Sequence, residues 1–192
     1  MSIKPILFNT EMVRAILDGR KTVTRLVVKT QPNGTFDKHW GGFYKDDEWI
    51  LLKEPYGPGD ILYVRETWFQ FKHGGYAYRA DSNEVSEMMR EDLGYKWRPS
   101  IHMPREAARI WLRVTDVRVE RLQEITGDGC AMEGIPLYSG PIGERENYYR
   151  SAFCHVWDST IKPADRERYG WAANPWVWAI RFERCEKPEE DA

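Results

Sequence analysis

The chain has 192 residues, enough for one well-buried domain, and its 28 Lys and Arg against 30 Asp and Glu give a net charge of -2, so a nucleic-acid role would need a local basic patch. Three cysteines, Cys130, Cys154 and Cys185, form no CxxC pair and leave one odd, which argues against a disulfide framework or a disulfide-linked partner and fits a reducing, cytoplasmic setting. No run approaches the roughly 18 apolar residues of a membrane span, and Met1 to Pro5 has no apolar signal core, so no membrane role is expected.

The first periodic segment, Thr10 to Leu17, places Met12, Val13, Ile16 and Leu17 on one helical face, with Glu11 in the first turn and Gly19 where a left-handed cap ends the helix. The polar run Asp18 to Arg25 follows and enters a strand over Thr22 to Val28. Thr30 to Asp47 reads as insertion material, then strands are expected at Trp49 to Lys53 and Ile61 to Thr67, separated by the turn residues Gly57, Pro58, Gly59 and Asp60. A second insertion spans Phe69 to Arg105, with strand pattern at Gly75 to Ala80. Ile110 to Glu120 reads as a long strand, Thr126 to Glu133 as a helix with Thr126 as N-cap and Gly134 as stop, and Arg145 to Thr160 as a helix with Tyr149, Phe153, Val156 and Trp157 on one face. A last strand covers Trp176 to Arg184, and Glu186 to Ala192 is an acidic tail expected to fray. Several strands with few helices, never in strict alternation, predict an α+β fold built on a small barrel or curled sheet in one domain over residues 1–185. Most of the nine Trp and ten Tyr then belong to its packing, although some could stack on bases.

Lys21 and Thr24 put an amine and a hydroxyl three residues apart, a base and a nucleophile if something lowers the lysine pKa; the same residues also suit a solvated strand start. Glu133 lies in the last turn of its helix, where a carboxylate opposes the helix dipole, so another use is expected for it. In Val64 to Trp68, Glu66 shares a strand face with Val64 and Trp68, so its carboxylate needs a partner, either as part of a substrate pocket or as a structural ion pair. His39, His73, His102 and His155 lack paired ligand spacing, and no phosphate loop or dinucleotide glycine pattern is present. Neither a catalytic metal nor a cofactor is expected.

Taken together, Gly19 to Thr24, Pro58 to Trp68, Ile101 to Arg105, Val114 to Val117, Ile125, Glu133 to Ile135 and Asn174 to Trp178 resemble the ASCH family of PUA-like β-barrels, particularly its phage and prophage members. The chain departs from the family signature at Arg25, which stands one position early, a shift that on a strand turns a side chain to the opposite face. The resemblance to the small bacterial members that act as amidohydrolases of acylated cytidine implies a catalytic set of Lys21, Thr24 and Glu133. It implies a PUA-like barrel flanked by short helices, with insertions at about 30–47 and 69–105. Expected substrate-binding residues are Arg20, Arg25, Arg65, Glu66 and Trp68, and the expected substrate is N4-acylated cytidine or a related modified nucleoside or nucleobase. The rival expectation is an RNA-binding module or a ribonuclease, with the arginines lining a groove and Trp68 stacking on a base.

Overall fold

The computed structural model describes residues 1–31, 37, 42–45 and 48–189. In chain order its elements are β1 (Ile3–Leu7), α1 (Thr10–Leu17), β2 (Val23–Val27), β3 (Gly42–Lys45), β4 (Glu48–Leu51), β5 (Ile61–Arg65), β6 (Trp68–Gln70) and β7 (Tyr76–Tyr78). There follow α2 (Glu84–Asp92), β8 (Trp111–Arg121), α3 (Gly127–Met132), α4 (Arg145–Thr160), α5 (Arg166–Tyr169) and β9 (Trp176–Cys185). The α+β class expected from the sequence is observed. The strand order β1-β5-β8-β9-β2 forms a five-stranded sheet, while β3-β4 and β6-β7 are separate two-stranded ribbons. The chain divides into two compact units: Met1–Arg20, Gly59–Val114 and Phe182–Ala192 form the first, and Lys21–Pro58 with Thr115–Arg181 the second.

In the first unit β1 runs parallel to β5, with Ile3 opposite Ile61 and Leu7 opposite Arg65, and β5 runs antiparallel to β8. Helix α1 is capped by the Asn9 side chain, which accepts from Met12 N, and it buries Val13, Ala15 and Ile16. Its end is a Schellman turn: Gly19 adopts φ 73°, Gly19 N donates to Ile16 O at 3.0 Å and Arg20 N donates to Ala15 O at 2.8 Å. The expected left-handed cap is therefore present.

In the second unit β2 pairs antiparallel with β9, Val23 opposite Arg181 and Val27 opposite Val177. Behind this pair Leu122, Ile125, Cys130, Ile135, Tyr149, Phe153, Trp157 and Val177 form one apolar cluster. Helix α4 contributes Tyr149, Phe153 and Trp157 at helical spacing, whereas Val156, expected on the same face, is 38% exposed. Cys130 is buried in the cluster, and loss of solvent pushes its thiol pKa up to about 12, so it is an inert packing residue.

The entry to β9 depends on Asn174, which is held in left-handed backbone (φ 46°, ψ 55°). Its side-chain oxygen accepts from Gln123 N at 2.8 Å and its carbonyl accepts from an Arg121 guanidinium N–H at 3.1 Å. Asn174→Ala is expected to cost about 1–2 kcal/mol through backbone strain and a lost hydrogen bond, with Asn174→Gly losing less because glycine tolerates the conformation. Thermal melts of the two variants check the order; Gly below Ala would refute it.

β1, β6 and α2 lie where no regular structure is expected from sequence. β1 contains Pro5 and ends the strand order, where a missing N–H is tolerated. The segment 69–105 carries most of β6 and helix α2, whose apolar positions are interrupted by four carboxylates and Arg90, beside β7, which lies within the strand expected at Gly75 to Ala80. Most of the insertion expected at 30–47 lies outside the described residues, although β3 falls within it, and so does the end of the expected acidic tail at 190–192.

Candidate functional site

Lys21 and Glu133 meet in the second unit. Thr126 caps α3 by accepting from Gly129 N at 3.1 Å, and Gly134 leaves the helix with φ 97°. Glu133 is thereby fixed at the C-cap, where Lys21 bridges it through the backbone and Thr22 N donates to Met132 O at 2.8 Å. This tie places Lys21 Nζ against the end of α3. The amine donates to Glu133 Oε2 at 2.5 Å, to Val23 O at 2.8 Å and to Glu133 O at 3.0 Å.

The Lys21 side chain is 0% exposed and that of Glu133 6%. Burial pushes the Lys21 pKa below its ordinary value; Glu133 pulls the other way without cancelling the shift, and Arg25 adds to the lowering. The geometry still suits the ammonium form, because three acceptors match three N–H donors, whereas a neutral amine would turn its lone pair toward one of them.

Arg25 completes the cluster from within β2. Its guanidinium donates to Glu133 Oε1 at 3.0 Å and to Glu120 Oε1 at 2.8 Å, and it lies 6.0 Å over the Phe153 ring. Arg118 donates to the other Glu120 oxygen at 2.8 Å. Burial pushes the Glu120 pKa up, but Arg25 and Arg118 together outweigh it and hold the carboxylate below its usual range. Cations and anions thus alternate from Lys21 through Glu133, Arg25 and Glu120 to Arg118, satisfying each buried charge by its neighbours. The unfavourable position of Glu133 at a helix C-terminus is offset by the two cations it receives.

Thr24 is 4% exposed and sits on β2 beside Arg25, and strand alternation sends its side chain to the opposite face. Among the described residues no hydrogen bond joins its hydroxyl to Lys21 or Glu133. Leu26, on the same strand face as Thr24, lines a cavity of about 620 Å³ with Val28, Ile50, Leu52 and Trp178.

The remaining expected binding residues lie in the first unit. Arg20 pairs with Asp18 at 2.8 Å on the surface. Arg65 donates to Ile101 O. Trp68 is 3% exposed, packed with Met103 and Ala107 under the Arg98 guanidinium at 5.3 Å, so its ring is covered by protein. Glu66 is 1% exposed and receives a bidentate Arg109 through Nε at 2.9 Å and Nη2 at 3.1 Å, with Asp81 on the far side of the same guanidinium. The partner that sequence alternation demands for Glu66 is therefore Arg109. Neither Glu120 nor Arg109 stands out in the sequence, because a partner from another strand or loop leaves no local pattern. Among the described residues no group of three His, Cys, Asp or Glu is placed to hold a metal ion, and no helix is long and apolar enough to cross a membrane.

Compared with known proteins, the sequence matches no family model and no curated protein. Two solved structures are similar. One is the ASCH domain from Lactobacillus crispatus JV V101, at 12% identity and a TM-score of 0.39, covering 95% of this chain and 79% of that one. The other is the hypothetical protein PH0355, at 14% identity and a TM-score of 0.39, covering 96% of this chain and 100% of that one.

Proposed function

We propose that the chain is a metal-independent amidohydrolase that removes the acyl group from N4-acylated cytidine or a related modified nucleoside or nucleobase. The observation that carries the chemistry is the buried 2.5 Å contact between Lys21 Nζ and Glu133 Oε2, a cation and a carboxylate held together by backbone on both sides. The substrate class comes from the resemblance of the Gly19 to Thr24 and Glu133 segments. For this chemistry one Lys21 N–H exchanges its backbone acceptor, Val23 O or Glu133 O, for the oxygen that gains charge in acyl transfer, and Thr24 turns from the opposite strand face so that Glu133 accepts its proton. Thr24 Oγ1 attacks the amide carbonyl, the C–N bond breaks, and the amine leaves with the proton that Glu133 has taken. Water then cleaves the threonyl ester, releasing the carboxylic acid and free Thr24. Arg25 holds Glu133 from the far side and acts as a positioning residue.

Hydrolysis of N4-acetylcytidine, followed by its ultraviolet spectrum, is the test. Thr24→Ala is expected to lower turnover at least about a hundredfold with ligand affinity changed only a few-fold, because a nucleophile acts mainly in the chemical step. Glu133→Gln keeps the shape and a hydrogen-bond acceptor and should be equally inactive, while a chelator should change nothing. Full activity in Thr24→Ala together with an inactive Glu133→Gln assigns the attack to water; no hydrolysis of any acyl series by the wild type refutes the reading.

A further inference from the structure

Helix α2 is an ordered surface element with nothing of its own in a core. It is held by a capping box in which Asn83 Oδ1 accepts from Ser86 N and Ser86 Oγ accepts from Asn83 N, and by Arg90 donating to Glu87 at 2.9 Å. None of its residues is buried, and Val85, Met88, Met89 and, just past its end, Leu93 are 62% to 67% exposed. Their spacing puts all four on one stripe. A contiguous apolar stripe on a soluble surface marks a binding face, and methionine gives it an adaptable one.

The stripe runs into a socket. Met89 and Leu93 line a cavity of about 510 Å³ whose other walls include Phe69, Phe71, Tyr95 and Trp97. Phe69 stacks on Tyr95 at 5.0 Å and meets Trp97 at 4.9 Å, so the walls are rigid aromatic surface ready to receive a side chain. The charged residues that line the socket, Arg90, Arg109 and Asp81, are paired within the molecule, and the helix beside it is acidic: α2 carries Glu84, Glu87, Glu91 and Asp92 against Arg90 alone, which is already bonded to Glu87 and Glu91. Glu87, receiving hydrogen bonds from Arg90 and Ser82, has its pKa drawn down to about 2 and stays ionised.

That charge selects the occupant. Carboxylates repel RNA phosphates and anionic lipid headgroups, and a second copy would bring two acidic helices together. A small molecule filling the socket would leave Val85 and Met88 uncovered, since neither lines it. We propose that α2 and the adjoining socket dock a basic, amphipathic segment of a protein partner, which seats an aliphatic or aromatic side chain among Phe69, Phe71 and Tyr95 and sets Lys or Arg against Glu84, Glu91 and Asp92.

Random-peptide display on the immobilised chain tests this, with the doubly substituted Met89→Asp, Leu93→Asp protein as counter-target. Both positions are exposed and remote from the hydrolase residues in sequence and role, so circular dichroism and N4-acetylcytidine turnover should match the wild type. The wild type is expected to enrich peptides that combine Lys or Arg with Leu, Phe or Trp. One such peptide, synthesised and titrated, should bind the double variant about tenfold more weakly or worse, and should weaken several-fold with Glu84→Gln, Glu91→Gln or with added salt. Failure to enrich peptides over the counter-target, enrichment of acidic or uncharged peptides, or equal affinity for the variant would each overturn the proposal. So would co-sedimentation with phosphatidylcholine and phosphatidylserine vesicles, or binding of a single-stranded RNA, that the double variant abolishes.

Discussion

Glu133→Ala is expected to destabilise the protein by about 3–5 kcal/mol, a fall of roughly 6–20 °C in thermal midpoint, because it strands a fully buried ammonium and removes one of the two carboxylates on Arg25. Lys21→Met is expected to cost far less, about 1 kcal/mol, since Glu133 then keeps its bond to Arg25 and a chain of similar volume fills the space. The double variant Lys21→Met, Glu133→Ala should be more stable than Glu133→Ala alone, because no lone ammonium remains. That inverted order is the signature of a buried charge left without its partner and separates it from simple loss of packing. Chemical denaturation of the three variants measures it, and a double variant less stable than either single one would show that packing dominates. Catalysis sorts them differently: on the proposed chemistry all three are inactive, so Lys21→Met should be a stable, folded protein without turnover.

Arg109→Ala is the second large effect. Glu66 is almost wholly buried and has Arg109 as its bidentate cation, so the substitution leaves a carboxylate unpaired and should cost about 3–5 kcal/mol at neutral pH, with loss of the Arg109 contact over the Tyr78 ring at 4.0 Å. The pH dependence gives the cause. Burial already holds the Glu66 pKa above its ordinary value, Arg109 opposing it, and removing Arg109 lifts it further. A carboxyl whose folded pKa is raised binds more protons in the folded than in the unfolded state between the two pKa values. Its favourable contribution is present at low pH and is lost as pH rises through the folded pKa. The deficit of Arg109→Ala should therefore shrink as the pH is lowered from 7 toward 5, by more than any change in the wild type over the same range. A deficit independent of pH would assign it to lost guanidinium packing. Glu66→Gln, which keeps the shape and an acceptor for Arg109, should fold, and its turnover reports whether the carboxylate also serves a substrate.

Much of this was legible in the residues themselves. The Schellman turn at Gly19, the cap at Thr126 and the stop at Gly134 are local events, specified by residues within one helical turn of each other, and sequence is sufficient for them. Glu133 was conspicuous because a carboxylate in the last turn works against the helix dipole, and Glu66 because strand alternation sent it among apolar neighbours. In each case the conflict with a local rule predicted that a partner exists without saying which.

The partners were decided by tertiary structure. Glu133 lies 112 residues from Lys21 and 108 from Arg25, and Arg109 lies 43 from Glu66. No local pattern can express such a pairing, since it depends on how β2 meets the end of α3 and how the chain before β8 returns to β5. Side-chain direction is decided at the same level: Arg25, read as a substrate arginine, is spent between two carboxylates, and Trp68, read as a stacking ring, is enclosed by Met103, Ala107 and Arg98. Helix α2 marks the opposite limit. Its caps and polar face are written in the sequence, but an exposed apolar stripe looks identical to a buried one until the structure shows that nothing of its own unit covers it. Composition and local geometry therefore determined the class of fold, the helix ends and the residues with unmet electrostatic needs, whereas long-range packing alone determined which charges answer them, because that energy exists only once distant segments exclude water together.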